Sequence, residues 1–185
     1  MAIKAELVFI PMPRMGHFLS MVQVAKFLVD LNPHLSITFL VLKLIPDAKL
    51  DAYLHSLTST ATTGIKFIDL PQPETDKHLT PADHIRVLVQ KHGPLVKEAV
   101  TTSIVQYSGS VPDSPRLAGF VLDMFLTPFI DLGNEFGVPS YVFYTSGAAF
   151  LGFQFYTLAL HDEQNVNIVR ELRKANDVSH CFAQI

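Results

Sequence analysis

Two polar residues that are far apart in the sequence, His17 and Asp123, each follow an apolar run typical of a buried strand. His17 lies shortly after ELVFIP at 6–11, and Asp123 ends LAGFVLD at 117–123. A neutral imidazole can accept a proton from a hydroxyl group, and a carboxylate can hold that imidazole in one tautomer and stabilise the cation that forms. The pair therefore predicts general-base chemistry, provided that the fold brings the two side chains together.

Motifs for other chemistries are missing from the sequence. The strand at 6–11 is not followed by Gly-x-Gly-x-x-Gly, so the phosphate cradle of a dinucleotide-dependent dehydrogenase is absent, and there is no Walker lysine loop. Tyr144 stands where a nucleophile elbow at Ser146 would need glycine. We expect no metal site, because the remaining histidines lack metal-ligand spacing and are predicted to be solvated at the surface: His34, His55, His78, His84, His92, His161 and His180.

Composition excludes several classes of protein. The 185 residues are 49% hydrophobic and 17% charged, which is incompatible with a predominantly disordered chain. The 14 Lys and Arg are scattered and are outnumbered by 17 Asp and Glu, which argues against nucleic-acid binding. Cys181 is the single cysteine, and the apolar run at 7–10 is too short for a secretory signal, so we predict a cytoplasmic, reducing environment.

One uncharged stretch, residues 136–160, is long enough to span a bilayer. Its glycine, proline, serine and threonine residues instead favour a buried strand, a turn and a helix, because strands in α/β cores are often continuously apolar. We therefore predict no transmembrane span.

Short β-branched or aromatic runs alternate with segments of helical periodicity along the chain. Strands are predicted at 6–11, 36–42, 64–70, 117–123 and 140–144. Helices are predicted at 17–31, after Asp47, from Thr80 toward Tyr107 with a kink or break at Gly93-Pro94, and at about 147–160. Because the connections are longer than a dozen residues, the strands should be parallel and the fold an α/β, doubly wound, Rossmann-like sheet.

This topology predicts where the two polar residues lie. With the strand order 3-2-1-4-5, strands one and four are neighbours at the switch point where open α/β sheets bind ligands. His17 opens the first helix, whose electropositive N-terminus disfavours an imidazolium, and Asp123 closes strand four, so the two should face each other. Structural roles stay open, because such a histidine can cap a helix and such an aspartate can bind loop amides.

The segments that carry these residues resemble a known family. Ile10-Pro11-x-Pro13-x-x-Gly16-His17, followed by a helix that begins FLSMVQVAKFL, resembles the N-terminal domain of plant UDP-dependent glycosyltransferases. FVLDMF at 120–125 and VPSYVFYTSGA at 138–148 are similar to that family's second N-terminal signature. The agreement covers roughly residues 5–165, and the branch that it most resembles acts on flavonoids, phenylpropanoids and related plant phenols.

The resemblance implies an inverting transfer of a hexose, usually glucose, from a UDP-sugar to an acceptor hydroxyl, with no metal or other cofactor besides this co-substrate. His17 matches the family's general base and Asp123 its supporting acid. Gly16 and Thr145 match positions that approach the donor sugar, and Met15 and Phe125 match positions near the acceptor.

The sequence also departs from the family, whose two-domain GT-B architecture includes a second Rossmann-like domain that binds most of the UDP-sugar. This chain has no tryptophan, which that domain's motif contains, and the match fades near Asn167. We therefore expect a truncated chain, in which residues 1–165 form an acceptor domain, 166–185 form a divergent polar tail with a short helix near 168–175, and the donor domain is absent.

Two functional hypotheses follow from this departure. Alone, the chain should be a poor catalyst or inactive. The alternative is a non-catalytic module that binds a small phenolic molecule or a partner protein. Self-association through the face that the missing domain would cover is also expected.

Overall fold

Five parallel strands form one sheet in the computed structural model, which describes residues 4–43, 46–59, 63–74, 81–106, 114–168 and 170. The sheet order is β3-β2-β1-β4-β5, and every neighbouring pair is parallel. The predicted fold class and strand order are therefore confirmed. The strands are β1 (Ala5–Ile10), β2 (Leu35–Val41), β3 (Ile65–Asp69), β4 (Arg116–Asp123) and β5 (Ser140–Phe143).

Helices connect the strands. They are α1 (Met15–Leu31), α2 (Ala48–Ser59), α3 (Pro81–Val100), α4 (Ile130–Phe136) and α5 (Ala148–Gln164). A π-helical segment, Thr101–Gln106, continues α3, and a 3-10 turn, Thr127–Phe129, precedes α4. Residues up to Thr145, which include the whole sheet, form one compact unit, and residues from Ser146 onward, which include α5, form a second.

Each face of the sheet carries its own apolar core. On one face, aromatic side chains such as Phe9 and Phe39, with ring centroids 5.1 Å apart, pack with the inner sides of α1 and α2. On the other face, residues such as Ile10 and Phe120 pack with α3, the π-helical segment and α4. Burial on both faces explains why β2 is almost continuously apolar, as strands of parallel sheets usually are.

Of the kink or break predicted at Gly93-Pro94, the break is absent, because α3 continues through Pro94 to Val100. Proline has no N–H and so removes one helical hydrogen bond, but the buried side chains of Leu88, Val96 and Val100 hold both halves of the helix against the sheet. The predicted start at Thr80 and the predicted end near Tyr107 lie outside the described residues.

The predicted burial of the segment from β5 into the last helix is also wrong. Tyr141 and Val142 of β5 are about half exposed, at 55% and 46%, and α5 has no buried residue. Its exposed side chains include four aromatic residues of the helix that we predicted to be buried: Phe150, Phe153, Phe155 and Tyr156. An apolar pattern indicates that one face of a helix can be buried. Whether that face is buried depends on another surface that packs against it. No described helix is both long enough and apolar enough for a membrane span.

Candidate active site

The connection from β1 to α1 places His17 in the first turn of a helix. Pro11 and Met12 continue the buried strand, and Arg14 takes an extended conformation immediately before the helix begins at Met15. No side chain caps this N-terminus, and the first turn contains no acidic residue. His17 is the third residue of α1, with 24% of its side chain exposed.

Asp123, the last residue of β4, is fully buried. One carboxylate oxygen, Oδ2, lies 2.8 Å from Nδ1 of His17, and the other, Oδ1, accepts a hydrogen bond from the backbone N–H of Phe125 at 3.0 Å. The backbone N–H of Leu126 also binds the carbonyl of Asp123 at 2.8 Å. The turn after β4 therefore orients the carboxylate toward His17, and the predicted juxtaposition of these two residues is present.

The contacts of His17 determine its tautomer. A carboxylate can only accept a hydrogen bond, so Nδ1 of His17 carries the hydrogen that Asp123 receives. The hydroxyl oxygen of Thr145 lies 3.0 Å from the same nitrogen and shares this position. In the neutral ring, Nε2 is then the bare nitrogen, and it has no hydrogen bond to any residue that the structure describes. The partly exposed imidazole is thus arranged to accept a proton at Nε2.

Three other predicted site residues lie beside this pair or on the elements that carry it. The Phe125 ring lies beside the imidazole, with 5.4 Å between ring centroids, and is 42% exposed. Gly16 precedes His17 and borders open space, since a Cβ atom built there would meet no atom within 4 Å. Met15 is half-buried and packs against the core formed with α1 and α2.

A cavity of about 260 Å³ opens beside the same β1–α1 connection. Met12, Pro13 and Arg14 form one wall, the segment from Pro46 to Lys49 at the start of α2 forms another, and His84 of α3 completes the lining. The sequence did not indicate any of these as a site residue, because the lining is assembled from three segments that are far apart in the sequence.

His92 was wrongly predicted to be solvated, since it is fully buried. Its Nδ1 lies 3.0 Å from the carbonyl oxygen of Leu88, and its Nε2 accepts a hydrogen bond from the backbone N–H of Lys43 at 3.3 Å. Burial lowers the pKa of His92, which favours its neutral form. A sequence signal existed, because His92 lies on the buried stripe of α3, four residues from both Leu88 and Val96. His34, His55 and His161 are exposed as predicted, while His78 and His180 lie outside the described residues.

Within the described ranges, no group of three histidine, cysteine, aspartate or glutamate residues could hold a metal ion.

Comparison with known proteins connects this geometry to a family. No protein-family model matches the sequence. The chain is 45% identical over 165 residues to UDP-glucose flavonoid 3-O-glucosyltransferase 6 of Fragaria ananassa, a match that covers 87% of this chain and 33% of the relative. It is 44% identical over 154 residues to anthocyanidin 3-O-glucosyltransferase 1 of Manihot esculenta, covering 83% of this chain and 33% of that protein.

A solved structure agrees with the sequence matches. UGT71G1 of Medicago truncatula, crystallised with UDP-glucose, superposes with a TM-score of 0.69 at 33% identity, covering 87% of this chain and 32% of that one. The resemblance inferred from the sequence motifs is therefore confirmed. In sequence and fold the chain is similar to plant UDP-glycosyltransferases, and it spans about a third of the length of the relatives that it matches.

Proposed function

We propose that this chain carries the acceptor-binding part and the general base of an inverting UDP-dependent glycosyltransferase. The sugar is glucose from UDP-glucose, and the acceptor is a hydroxyl group of a flavonoid or another small phenol. The observation that carries the proposal is the 2.8 Å contact between His17 Nδ1 and Asp123 Oδ2, at the sheet edge where α/β folds bind ligands. We take the substrate class from the names of the relatives from Fragaria ananassa (strawberry) and Manihot esculenta (cassava), which are glucosyltransferases of flavonoids and anthocyanidins.

The proposed reaction is a single displacement. The acceptor oxygen attacks the anomeric carbon while His17 Nε2 takes the hydroxyl proton, and the bond from that carbon to the phosphate oxygen breaks, so UDP leaves. Asp123 keeps the Nδ1–H tautomer in place and stabilises the imidazolium that forms, because its buried carboxylate already accepts the hydrogen on Nδ1. The proton then passes from Nε2 to solvent, which the partly exposed ring can reach.

Neighbouring residues complete the proposed site. Phe125 presents a partly exposed ring beside His17, which suits an aromatic acceptor, and Met15 lies at the start of the same helix. Gly16 leaves open space where a sugar can approach the backbone, and the hydroxyl group of Thr145 is already within hydrogen-bond distance of His17. We assign Met15 and Phe125 to the acceptor and Gly16 and Thr145 to the donor sugar.

The cavity beside the β1–α1 connection suits one part of the acceptor. Its volume of about 260 Å³ is just below the range typical of ligand pockets, about 300–1,000 Å³. A single phenolic ring with its substituents fits that size better than a complete flavonoid, so we propose that the remainder of a flavonoid extends past Phe125 toward solvent.

The proposed function includes a domain organisation and a cellular compartment for this chain. Residues 1–165 act as the acceptor domain, and the uridine and phosphates of the donor are bound by residues beyond those in this chain. The reaction uses UDP-sugar as a co-substrate without a further cofactor, and the protein works in the cytoplasm.

Calorimetry on the complete 185-residue chain tests the binding half of the proposal. Quercetin, a flavonol, should bind in the micromolar range, because the acceptor site is present, whereas UDP-glucose should bind at least about tenfold more weakly. Tight binding of UDP-glucose with no binding of quercetin would contradict the assignment of this chain to the acceptor. Quercetin binding combined with no turnover even when a donor domain is supplied would favour a non-catalytic binding module.

A chimera tests the catalytic half. Residues 1–165 would replace the matching third of the strawberry relative, so that the rest of that enzyme supplies the donor site. The chimera should glucosylate quercetin, and His17→Ala should lower kcat by about 10²–10⁴-fold, the usual contribution of a general base. His34→Ala, at an exposed histidine, is the matched control. Unchanged turnover in the His17→Ala chimera would refute the role of His17.

A further inference from the structure

The fully buried His92 joins two elements that meet near the candidate site. Its Nδ1 faces the carbonyl oxygen of Leu88, one turn earlier in α3, at 3.0 Å. A carbonyl oxygen only accepts hydrogen bonds, so the hydrogen is on Nδ1, and Nε2 is free to accept the backbone N–H of Lys43 at 3.3 Å. One neutral imidazole therefore ties α3 to the chain leaving β2.

Lys43, which this hydrogen bond holds against α3, lies three residues before a wall of the 260 Å³ cavity. Lys43 follows the end of β2, and Pro46 to Lys49 line the cavity at the start of α2. Asp47 begins that helix, with Oδ1 accepting the backbone N–H groups of Lys49 and Leu50 at 3.0 and 3.2 Å. The position of this wall thus depends on where the chain leaves β2.

Another part of the cavity lining belongs to the helix that holds His92. His84 lines the cavity and lies eight residues before His92, just over two helical turns away on a similar face of α3. Helix α3 therefore supplies both a residue of the cavity lining, His84, and the hydrogen bond to Lys43, which lies three residues before Pro46.

We propose that His92 is a positioning residue for this cavity. Its neutral Nδ1–H imidazole holds the segment after β2 against α3 and so determines how large an aromatic acceptor the cavity admits. That acceptor role rests on the function proposed above, whereas the positioning of the segment does not.

The side chain of Lys43 does not compete for this contact. Its ammonium group is 3.0 Å from Asp69 and 3.8 Å from Asp51, so it is held on the side of β3 and α2. Only the backbone N–H of Lys43 faces His92. Substitutions at position 92 therefore test the tie while the ion pairs of Lys43 stay intact.

Hydrogen exchange on the complete, ligand-free chain tests the positioning. His92→Phe keeps a ring of similar size but removes both hydrogen bonds, so the amides of Lys43 and of the helix start at 47–50 should exchange about tenfold faster or more, while those of β1 and β4 change little. His92→Gln retains a carbonyl oxygen that can accept the Lys43 N–H, and it should restore part of the protection. His34→Gln, at an exposed histidine, is the control.

Ligand binding then tests the cavity. The dissociation constant of quercetin should rise about fivefold or more in His92→Phe, with a smaller rise in His92→Gln, because the binding wall is no longer preorganised. The affinity for p-nitrophenol, a single ring, should change less, so the ratio between the two probes shifts.

The outcomes separate the positioning role of His92 from its link to the cavity and from the proposed function. Uniformly faster exchange across the sheet would show only global destabilisation and would overturn the positioning role. Should His92→Phe fail to fold, the His92→Gln chain gives the comparison with a smaller expected increase in exchange, because its amide only partly replaces the imidazole. Local loosening without a change in the quercetin-to-nitrophenol ratio would overturn the link to the cavity. Absence of quercetin binding in the unaltered chain would refute the proposed function, and exchange would still decide whether His92 positions the segment.

Discussion

At the scale of single residues, the candidate site depends on the hydrogen at Nδ1 of His17. Asp123 uses both of its oxygens, one for this hydrogen and one for the N–H of Phe125, so the carboxylate has little freedom to turn. The result is an imidazole whose other nitrogen is presented for proton transfer.

Asp123→Asn tests the orienting role of the carboxylate. The substitution nearly preserves shape, but the amide nitrogen is a donor and the charge that stabilises an imidazolium is lost. In the chimera, kcat should fall by about 10²–10⁴-fold while the fold is kept. Steady-state kinetics and circular dichroism measure the two effects, and the nitrogen chemical shifts of His17 should show a loss of the pure Nδ1–H tautomer. Retained kcat would show that Asp123 is structural only.

Gly16→Ala separates a role for open space from a role in folding. The structure does not need glycine there, because a Cβ atom meets nothing within 4 Å, and alanine is favoured over glycine in a helix by roughly 0.5–1 kcal/mol. Urea denaturation should therefore show equal or greater stability. In the chimera, the KM for UDP-glucose should rise several-fold, since the methyl group occupies the approach to the backbone. An unchanged KM would remove Gly16 from the donor-sugar site.

At the scale of elements, α3 connects the sheet to the cavity. Its inner face carries core residues such as Leu88 and Val96. Between them lies His92, which accepts a hydrogen bond from the backbone N–H of Lys43. The helix continues across Pro94 because this inner face is packed along its length.

The buried tie makes stability depend on pH. Burial lowers the pKa of His92 below its ordinary value of 6.5, so on acidification the unfolded chain binds this proton before the folded chain does. The stability contributed by neutral His92 is present above about pH 6.5 and declines as the pH falls below it, by at most about 1.4 kcal/mol per pH unit.

Urea titrations between pH 7.5 and pH 5 measure this slope. The unaltered chain should lose more stability across the range than His92→Gln does, and comparing the two cancels the contributions of the other titrating groups. Equal slopes for both proteins would mean that His92 is not held neutral by the fold. His34→Gln should behave like the unaltered chain.

At the scale of the whole molecule, the chain exposes large apolar side chains that its sheet and helices do not cover. Five large side chains of α5 are 45–62% exposed, and the chain spans about a third of the length of its relatives. Exposed apolar surface that forms a large patch usually marks an interface or causes association.

We therefore expect the purified chain to associate with itself. Its weight-average sedimentation coefficient should increase with concentration in the micromolar range, and replacing Phe155 and Tyr156 with serine should reduce that increase. Gln154→Ser, on the same helix, is the matched control. A concentration-independent monomer would contradict the expectation and would indicate that these side chains are tolerated in water.

The sequence by itself determined the sheet and the meeting of His17 with Asp123. Strand-like runs are local signals, and long crossovers between parallel strands leave few topologies, so the common strand order 3-2-1-4-5 predicted that the ends of β1 and β4 meet at one edge. Tertiary structure alone decided that His92 is buried, that α3 runs through Pro94 and that α5 is exposed. Those outcomes depend on which distant surface covers a side chain, and the same local pattern is compatible with burial, solvation or an open face.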